Sequence, residues 1–207
     1  EEAATRRYTG REATIVSAPV ILGVDPARFG DDRSVIVRRQ GLAMFEPIVM
    51  QDIDNMELAA RVAHQIERHN PAAVFVDSGA GAGVIDRLRQ LGHQVIEVPF
   101  GGKALHEQYK NRRTEMWWEM RSWLKGGGAI PNLLALKKEL ATPTYTYDSA
   151  GRKVLESKEQ IKKRLDGGGS PDIADALALT LAAPVANVES RVRKRVRKAS
   201  LDYDPYA

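Results

Sequence analysis

Two short apolar runs, each ending in an aspartate, organise this sequence: VILGVD at Val20–Asp25 and AAVFVD within Ala72–Asp77. Unbroken apolar runs of this length are typical of strands that are buried on both faces of a sheet. Two further β-rich stretches, SVIVRRQ (Ser34–Gln40) and LAMFEPIVMQ (Leu42–Gln51), follow the first run closely and predict an antiparallel meander of three strands. The helical spacing of apolar residues over Asn55–His69 then predicts a helix that leads into the second run.

The rest of the chain alternates between helical and extended patterns. The predicted segments are a glycine-rich turn (Ser78–Gly83), a helix from Val84, a strand (Gln94–Phe100), helices at Lys110–Lys125 and Leu133–Leu140, a hairpin (Thr144–Ser157), a short helix (Ser157–Arg164) and a last helix (Ser170–Ala183). In the last helix, Ser170 is the expected N-cap and Pro171 the first helical residue. This order predicts an α/β fold. Its mixed sheet has five strands, three antiparallel and then two parallel, with flanking helices and a β-hairpin insertion before the last helix.

The composition is that of a globular domain. The chain has 207 residues, of which 43% are hydrophobic and 28% charged, and its formal net charge is +4. It contains no stretch of about 18 apolar residues, so we expect no transmembrane helix and no membrane partner. It contains no cysteine, which excludes disulfides, thiolate metal sites and a cysteine nucleophile. Any metal must therefore be held by oxygen or imidazole ligands.

Most of the net charge belongs to the end of the chain. The segment RVRKRVRK at Arg191–Lys198 has six basic residues in eight. We therefore predict a leader or linker over residues 1–18, one domain over 19–186 and a basic tail over 187–207. Such a tail is consistent with a polyanionic partner and equally with a solvated segment.

Carboxylates occupy the positions where this fold places ligands. Asp25 and Asp77 each end a predicted strand, and Asp172 begins the last helix with Asp175 one turn later on the same face. If the two aspartate-ended strands are parallel neighbours, Asp25 and Asp77 approach each other at the edge where open sheets bind ligands. Closely spaced carboxylates repel one another and favour an accompanying cation, and oxygen ligands favour Mg²⁺ or Mn²⁺. Asp31 is a loop acid that can lean into the same site.

Each aspartate also has a purely structural interpretation. Asp25 precedes Pro26 and can start a turn, Asp77 can cap the following helix, and acids such as Asp172 are favourable near helix N-termini in any case.

Five segments, in this order, carry a resemblance to a known family. They are GVDPARFGDDRSVIV (Gly23–Val37), VFVDSGAGAGVIDRL (Val74–Leu88), YKNRRTEMWWEMRSWLKGG (Tyr109–Gly127), ESKEQIKKR (Glu156–Arg164) and SPDIADALALT (Ser170–Thr180). Together they resemble the nuclease domain of the large terminase subunit of tailed bacteriophages, over roughly residues 20–183. The resemblance implies an RNase H-like fold, in agreement with the element order above.

The resemblance also implies a reaction. Asp25, Asp77 and Asp172 would form an acidic triad that binds two divalent cations, Mg²⁺ or Mn²⁺, with Asp25 bridging them. The motif leaves Asp175 as an alternative or additional ligand and Asp31 as an assisting one. The implied function is a metal-dependent endonuclease that cleaves double-stranded DNA concatemers during viral genome packaging, by two-metal-ion hydrolysis of the phosphodiester bond.

Basic residues predict the DNA-facing surface. The candidates are Lys103 in a glycine-rich loop, Lys110, Arg112 and Arg113 at the start of a helix, and Lys158, Lys162, Lys163 and Arg164 before the last helix. Basic side chains and helix N-termini favour phosphate. None of these groups has a base-reading pattern, so we expect little sequence specificity. The SGAGAG segment lacks the lysine of a phosphate-binding loop and is interpreted as a tight turn near Asp77.

The family resemblance further implies partners that this chain does not contain. They are the ATPase domain of the same subunit, whose Walker motif is absent from this sequence, the portal protein and the small terminase subunit. The expected location is the cytoplasm of the infected bacterial host, with transient residence on the viral prohead.

Three other functions fit parts of the sequence. Another RNase H-like nuclease, such as a Holliday-junction resolvase, would use the acids similarly on branched DNA. An actin-like or sugar-kinase ATPase domain is suggested by GVDPARFGDD (Gly23–Asp32), although 207 residues leave little room for its second half. A non-catalytic DNA-binding adaptor is disfavoured because central carboxylates repel phosphate in the absence of metal.

Overall fold

The structure is a computed structural model of the chain, and it describes residues 1–27, 32–165 and 169–186. The strands are β1 (Val20–Asp25), β2 (Ser34–Gln40), β3 (Ala43–Met44), β4 (Ile48–Met50), β5 (Ala73–Asp77), β6 (Ile96–Val98), β7 (Tyr145–Tyr147) and β8 (Lys153–Leu155). The helices are α1 (Glu2–Thr5), α2 (Ala13–Val16), α3 (Asn55–His69), α4 (Ser78–Gln90), α5 (Arg112–Lys125), α6 (Leu134–Ala141), α7 (Lys158–Arg164) and α8 (Asp172–Leu179).

The main sheet is mixed, with the order β3-β2-β1-β5-β6 and with β4 also paired to β2. β1 pairs with β2 antiparallel and with β5 parallel, and β5 pairs with β6 parallel. The predicted mixed sheet is confirmed, but it has six strands rather than five. The predicted third strand is divided into β3 and β4, which pair with opposite ends of β2. Pro47 lies in the break, where it has no N–H to donate to a continuous ladder.

Two cores cover the two faces of the sheet. Leu22 of β1 lies in the core that includes Leu58 of α3 and Leu88 of α4. The preceding residue, Ile21, lies in the other core, with Met116 of α5 and residues of α8. Successive strand residues point to opposite faces, so a strand buried on both faces is apolar throughout. This explains the unbroken apolar run of β1.

The helix α8 lies directly against β1 at a glycine. A Cβ atom added to Gly23 would lie 2.1 Å from the backbone oxygen of Ala176, a distance that no side chain tolerates. The absence of a side chain at Gly23 therefore allows the helix backbone to approach the strand. This close packing brings the start of α8 to the end of β1.

The glycine-rich segment is helical, and the prediction of a tight turn there was wrong. The helix α4 begins at Ser78, immediately after β5, with Asp77 as its N-cap. A Cβ atom at Gly81 would lie 2.7 Å from Cγ of Pro26, so the first turn of the helix packs closely on the segment that follows β1. The glycines thus serve close packing of a helix.

The termini differ from the predictions in smaller ways. The last helix begins one residue later than expected, because Pro171 rather than Ser170 is at the N-cap position. Residues 1–18, predicted as a leader or linker, contain α1 and α2, whose Ala4 and Ile15 are buried. Residues 187–207, the predicted basic tail, lie outside the described residues. In the ranges that the structure does describe, no helix combines the length and hydrophobicity needed to cross a bilayer.

Candidate active site

Asp25 and Asp77 lie side by side at the carboxyl edge of the sheet. The last paired residues of parallel strands β1 and β5 are Val24 and Val76, and one aspartate follows each. Both are buried, with exposed fractions of 1% for Asp25 and 8% for Asp77. The arrangement agrees with the adjacency predicted for parallel neighbours.

The two carboxylates differ in how they are held. Both hydrogen bonds of Asp77 are accepted by its Oδ1, from the backbone N–H groups of Gly79 (3.3 Å) and Phe100 (3.4 Å). In Asp25, Oδ2 accepts from Nζ of Lys158 at 2.7 Å, while Oδ1 is buried and has no hydrogen-bond partner among the described residues. An unsatisfied buried carboxylate oxygen is costly in a structural role and is expected where a ligand completes the site.

Asp172 is brought to the same place by α8. It is the first helical residue, is 1% exposed, and accepts the backbone N–H of Arg33 at Oδ2 (3.2 Å). Its Oδ1 lies 3.3 Å from Nζ of Lys158. The helix N-terminus stabilises the carboxylate electrostatically, so this structural interpretation holds alongside any role as a ligand.

Behind Asp172, a buried glutamate holds the start of α8. Glu139 of α6 accepts the backbone N–H of Ala174 (2.9 Å) and pairs with the guanidinium of Arg33 (2.6 Å). Burial raises the pKa of Glu139, and these hydrogen bonds oppose the rise. Glu139 therefore supports Asp172 through the helix and through Arg33.

Asp175 is completely buried, one turn further along α8. Its Oδ1 accepts two hydrogen bonds from α5, one from Nε of Arg113 (2.8 Å) and one from Nε1 of Trp117 (2.6 Å). Its Oδ2 lies 3.5 Å from Nζ of Lys158. Asp175 is thus tied to the protein on one side and faces the acidic group on the other.

Lys158 is the common neighbour of three of these carboxylates. Its ammonium lies within 3.5 Å of Asp25, Asp172 and Asp175. Burial disfavours the charged ammonium, but the three carboxylates outweigh this effect and raise the pKa of Lys158. Although the sequence groups Lys158 with surface cations, its side chain is only 23% exposed and its charge is directed inward.

One ammonium does not neutralise the whole acidic group. Burial raises the pKa of Asp25 to about 8, with Lys158 opposing this shift and the neighbouring Asp175 and Asp172 adding to it. Burial likewise raises the pKa of Asp77, against the hydrogen bonds from Gly79 and Phe100. Burial therefore favours the protonated form of these carboxyl groups, and a divalent cation would instead stabilise their charged form.

A cavity of about 530 Å³ opens onto these residues. Asp25, Asp77, Asp172 and Lys158 line it, whereas Asp175 does not. Within the described ranges, no group of three or more His, Asp or Glu side chains forms a preassembled metal site. The donor set nevertheless fits a hard cation, because Asp25, Asp77 and Asp172 all offer carboxylate oxygens and Oδ1 of Asp25 has no hydrogen-bond partner among the described residues.

Apart from Lys158, the predicted DNA-contacting residues fall into two groups. Lys103, Lys110 and Lys163 have exposed side chains, and Lys110 also pairs with Asp148 at 3.8 Å. Four others are engaged within the protein: Lys162 with Asp32 at 2.6 Å, Arg164 with Glu156 at 2.8 Å, Arg112 with Glu115 and the carbonyl of Ala182, and Arg113 with Asp175. Asp31, the predicted assisting acid, lies outside the described residues.

Sequence reasoning did not identify Glu139, Arg33 or Trp117 as supporting residues. Glu139 contacts an element 35 positions away and Arg113 contacts one 62 positions away, so no local spacing relates the partners. Trp117 was interpreted as a packing residue. Its position four residues after Arg113, on the same helix face, is the sequence feature that could have indicated a shared hydrogen-bond partner.

Comparison with solved structures places this architecture among known folds. The nuclease domain of the large terminase subunit gp2 of bacterial virus Sf6 superposes with a TM-score of 0.70 and 18% identity, covering 89% of this chain and 96% of that domain. The large terminase nuclease of thermophilic phage G20c gives 0.59 and 21%, covering 81% and 83%. The corresponding domain of Thermus phage P74-26 gives 0.57 and 22%, covering 79% and 78%.

No family model and no curated protein sequence matches the chain. Among the similar structures, a K428A mutant of the Sf6 domain contains manganese, and the G20c nuclease has been solved with magnesium and with cobalt. The agreement with all three domains extends over most of the chain. The chain therefore has the RNase H-like fold of the nuclease domains of phage large terminase subunits.

Proposed function

We propose that this chain is a metal-dependent endonuclease domain that hydrolyses double-stranded DNA during viral genome packaging. The observation that carries the proposal is the cavity lined by Asp25, Asp77 and Asp172, in which a buried oxygen of Asp25 has no hydrogen-bond partner among the described residues. The fold is shared with terminase nuclease domains, some of them solved with divalent metals, and this supports the assignment.

Asp25, Asp77 and Asp172 would hold two divalent cations, Mg²⁺ or Mn²⁺. When bound, these cations supply an activated water and neutralise charge on the phosphate that is cleaved. Asp25 contributes the unpartnered oxygen, and Asp172 is orientated by Arg33 and by the α8 N-terminus. Lys158 balances the carboxylate charge within the protein, and its ammonium lines the cavity, where it can also donate to a phosphate oxygen.

The exposed cations Lys103 and Lys163 would contact the DNA backbone, with Lys110, Lys162 and Arg164 contributing after exchange of their carboxylate partners. Contacts to phosphate carry no sequence information, so cleavage would show little sequence specificity. Binding should weaken steeply with salt as counterions are released.

The terminase assignment also sets the context of the reaction. The DNA would be a concatemer that is cut when packaging starts and ends, and the ATPase domain of the same subunit would drive DNA movement. The portal protein and the small terminase subunit would be partners, in the host cytoplasm and transiently at the prohead. These partners are proposed from the shared fold.

Cleavage of linear duplex DNA in Mg²⁺ or Mn²⁺ tests the function, with a four-way junction of the same sequence as the competing substrate. We expect the duplex to be cut and Asp77→Asn to lower the rate by roughly 10³-fold, because the site loses a charged oxygen donor. Asp86→Asn, an exposed acid on α4, is the matched control and should cut normally. Selective cleavage of the junction would instead favour a resolvase, and full activity of Asp77→Asn would refute the assigned site.

A further inference from the structure

Arg113 makes contacts that differ from those expected of a DNA-binding arginine. It lies in the first turn of α5, yet it is only 7% exposed. Its Nε donates to Oδ1 of Asp175 (2.8 Å), and its Nη1 donates to the backbone carbonyl of Glu156 (2.7 Å). A single buried guanidinium therefore joins α8 to the segment that precedes α7.

We infer that Arg113 is a positioning residue, which holds Asp175 and the segment carrying Lys158 in the one arrangement that the active site requires. The inference rests on the proposed function, since it concerns the same site. It replaces the predicted DNA contact of Arg113 with a role inside the protein.

Arg113 fixes the orientation of the Asp175 carboxylate. Its Oδ1 accepts from both Arg113 and Trp117, which lie four residues apart on α5. Two donors to one oxygen determine the direction of the carboxylate and leave Oδ2 facing Lys158 at 3.5 Å. Without the guanidinium, the indole alone does not restrain the carboxylate against rotation.

Arg113 also fixes the backbone from which the Lys158 side chain extends. The carbonyl that Arg113 binds belongs to Glu156, two residues before Lys158. The intervening Ser157 is the N-cap of α7, and its side chain and that of Gln160 form a reciprocal capping box. Because the helix start is rigid and its preceding carbonyl is fixed by Arg113, the origin of the Lys158 side chain is fixed as well.

The contacts of Arg113 favour a role inside the protein over a DNA contact, although Arg113 is among the residues that line the active-site cavity. The Arg113 side chain is 9% exposed and pairs with the fully buried Asp175. Its remaining nitrogen, Nη2, is buried and makes no hydrogen bond within the described part of the chain. Its other two nitrogens, Nε and Nη1, are committed to acceptors of the protein. A lysine cannot reproduce the fork, because its single ammonium does not serve two acceptors in the same planar geometry.

The variant Arg113→Lys tests this inference, with Arg121→Lys, an exposed position on the same helix, as the control. Lys158, whose position Arg113 fixes, donates to the proposed ligands Asp25 and Asp172, and loss of such outer contacts typically weakens metal binding by about 10–100-fold. We expect calorimetry to show Mn²⁺ binding at least about tenfold weaker in Arg113→Lys, with a lower kcat and a KM for duplex DNA within about twofold of wild type. Arg121→Lys should leave kcat and Mn²⁺ affinity unchanged. A raised KM with unchanged Mn²⁺ affinity would overturn the inference in favour of a DNA contact.

A second pair of variants guards against simple unfolding. Arg113→Met leaves the Asp175 charge buried without its partner, whereas the double variant Arg113→Met/Asp175→Asn removes both charges. If Arg113 acts in part through Asp175, the loss of Mn²⁺ affinity in the double variant is smaller than the product of the losses in Arg113→Met and Asp175→Asn. Fully multiplied losses would show that Arg113 acts independently of Asp175, contrary to the inference.

The metal-free protein separates this inference from the proposed function. The chain has three tryptophans, so Trp117→Phe identifies the indole N–H resonance of Trp117. We expect that resonance to shift in Arg113→Lys and to stay in place in Arg121→Lys. If wild-type protein cleaves no DNA but the resonance and Mn²⁺ affinity change as expected, the proposed nuclease function fails and the positioning role stands. If the resonance and Mn²⁺ affinity are unchanged, the positioning role fails whatever DNA the protein cuts.

Discussion

Two buried charges at opposite ends of the β1–β2 ladder are treated in opposite ways. Asp25 is paired with Val35 in this ladder. Arg39 lies four residues beyond Val35 on β2, which corresponds to about 13 Å along the strand. The Arg39 guanidinium donates to Oγ1 of Thr180 (2.9 Å), to the Thr180 carbonyl (2.9 Å) and to the Gly41 carbonyl (3.0 Å). Asp25 has one oxygen with no hydrogen-bond partner in the described structure.

The contrast indicates that Arg39 has a structural role, whereas Asp25 has the surroundings expected of a ligand-binding residue. Arg39 is 9% exposed, and burial lowers its pKa to about 10, yet neutral oxygens satisfy its donors. Asp25 is surrounded by further carboxylates and has a raised pKa. The helix α8 touches both, with Asp172 at its start and Thr180 after its end. The same packed helix therefore contributes Thr180 to one end of the ladder and Asp172 to the other, where we propose that cations bind.

The largest effect should come from Asp25→Asn. We expect the cleavage rate to fall by roughly 10³-fold, because a neutral amide replaces the carboxylate that the cations need. The free energy of unfolding without metal should change little, because the substitution removes a buried charge that is incompletely satisfied. Rate measurements in Mn²⁺ and thermal unfolding in EDTA together check this prediction. A strongly destabilised Asp25→Asn protein would show that Asp25 is structural, like Arg39.

Arg39→Met should show the opposite behaviour. Hydrogen bonds to charged groups contribute about 1.5–3 kcal/mol each, and removal of the buried charge offsets part of the loss of three of them, so we expect a net loss of about 2–3 kcal/mol in unfolding free energy. The cleavage rate per folded molecule should be unchanged. Urea unfolding measures the loss of stability, and cleavage rates compared at equal concentrations of folded protein measure the activity.

The neighbouring Arg38 provides the matched control for Arg39. Its guanidinium lies 3.4 Å from the centre of the Phe45 ring, a contact expected to contribute about 0.5–1 kcal/mol. Arg38→Met should therefore destabilise the protein less than Arg39→Met. Equal losses for the two variants would argue that the hydrogen bonds of Arg39 are not what makes it structural.

The smallest effect is expected for a charge near solvent. Hydrogen bonds from Arg164, with further ones from Thr144, lower the pKa of Glu156 to about 2. Because the pKa of Glu156 is lower in the folded protein than its ordinary value of 4.5, the charged carboxylate stabilises the fold at pH values above 4.5. This stabilisation is lost as the pH falls through about 2. Glu156→Gln should therefore cost at most about 1 kcal/mol at pH 7, and the difference from wild type should vanish near pH 2.

Urea unfolding of wild type and Glu156→Gln from pH 7 to pH 2 tests whether the difference in unfolding free energy shrinks as the pH falls. Glu97→Gln is the control, because Glu97 is 44% exposed and pairs with the half-exposed Arg89. We expect almost no change in that variant. A Glu156 effect that grows as the pH falls would contradict the assigned direction.

Much of the fold could be predicted because its patterns are local. The limits of α3 match the predicted Asn55–His69, and the parallel placement of the two aspartate-ended strands follows from their apolar runs and the helix between them. The third strand and the start of α4 could not be predicted in the same way. Glycine usually disfavours helices, but at Gly81 the close contact with Pro26 outweighs its propensity, and that contact joins segments 55 residues apart in the chain.

The sequence alone determined where carboxylates stand, because strand ends and helix starts are local features and each carries an aspartate here, and these positions indicated the chemistry that we propose. The absence of cysteine in the same chain made carboxylate oxygen the natural metal donor. Only the tertiary structure decided which acids face the cavity and which are held behind it. Asp172 and Asp175 are one turn apart on one helix, yet only Asp172 lines the cavity, while Asp175 is fully buried against Arg113 and Trp117. The physical reason is packing: the face that a side chain presents depends on the helices placed against it, and those contacts join residues that are distant in the chain.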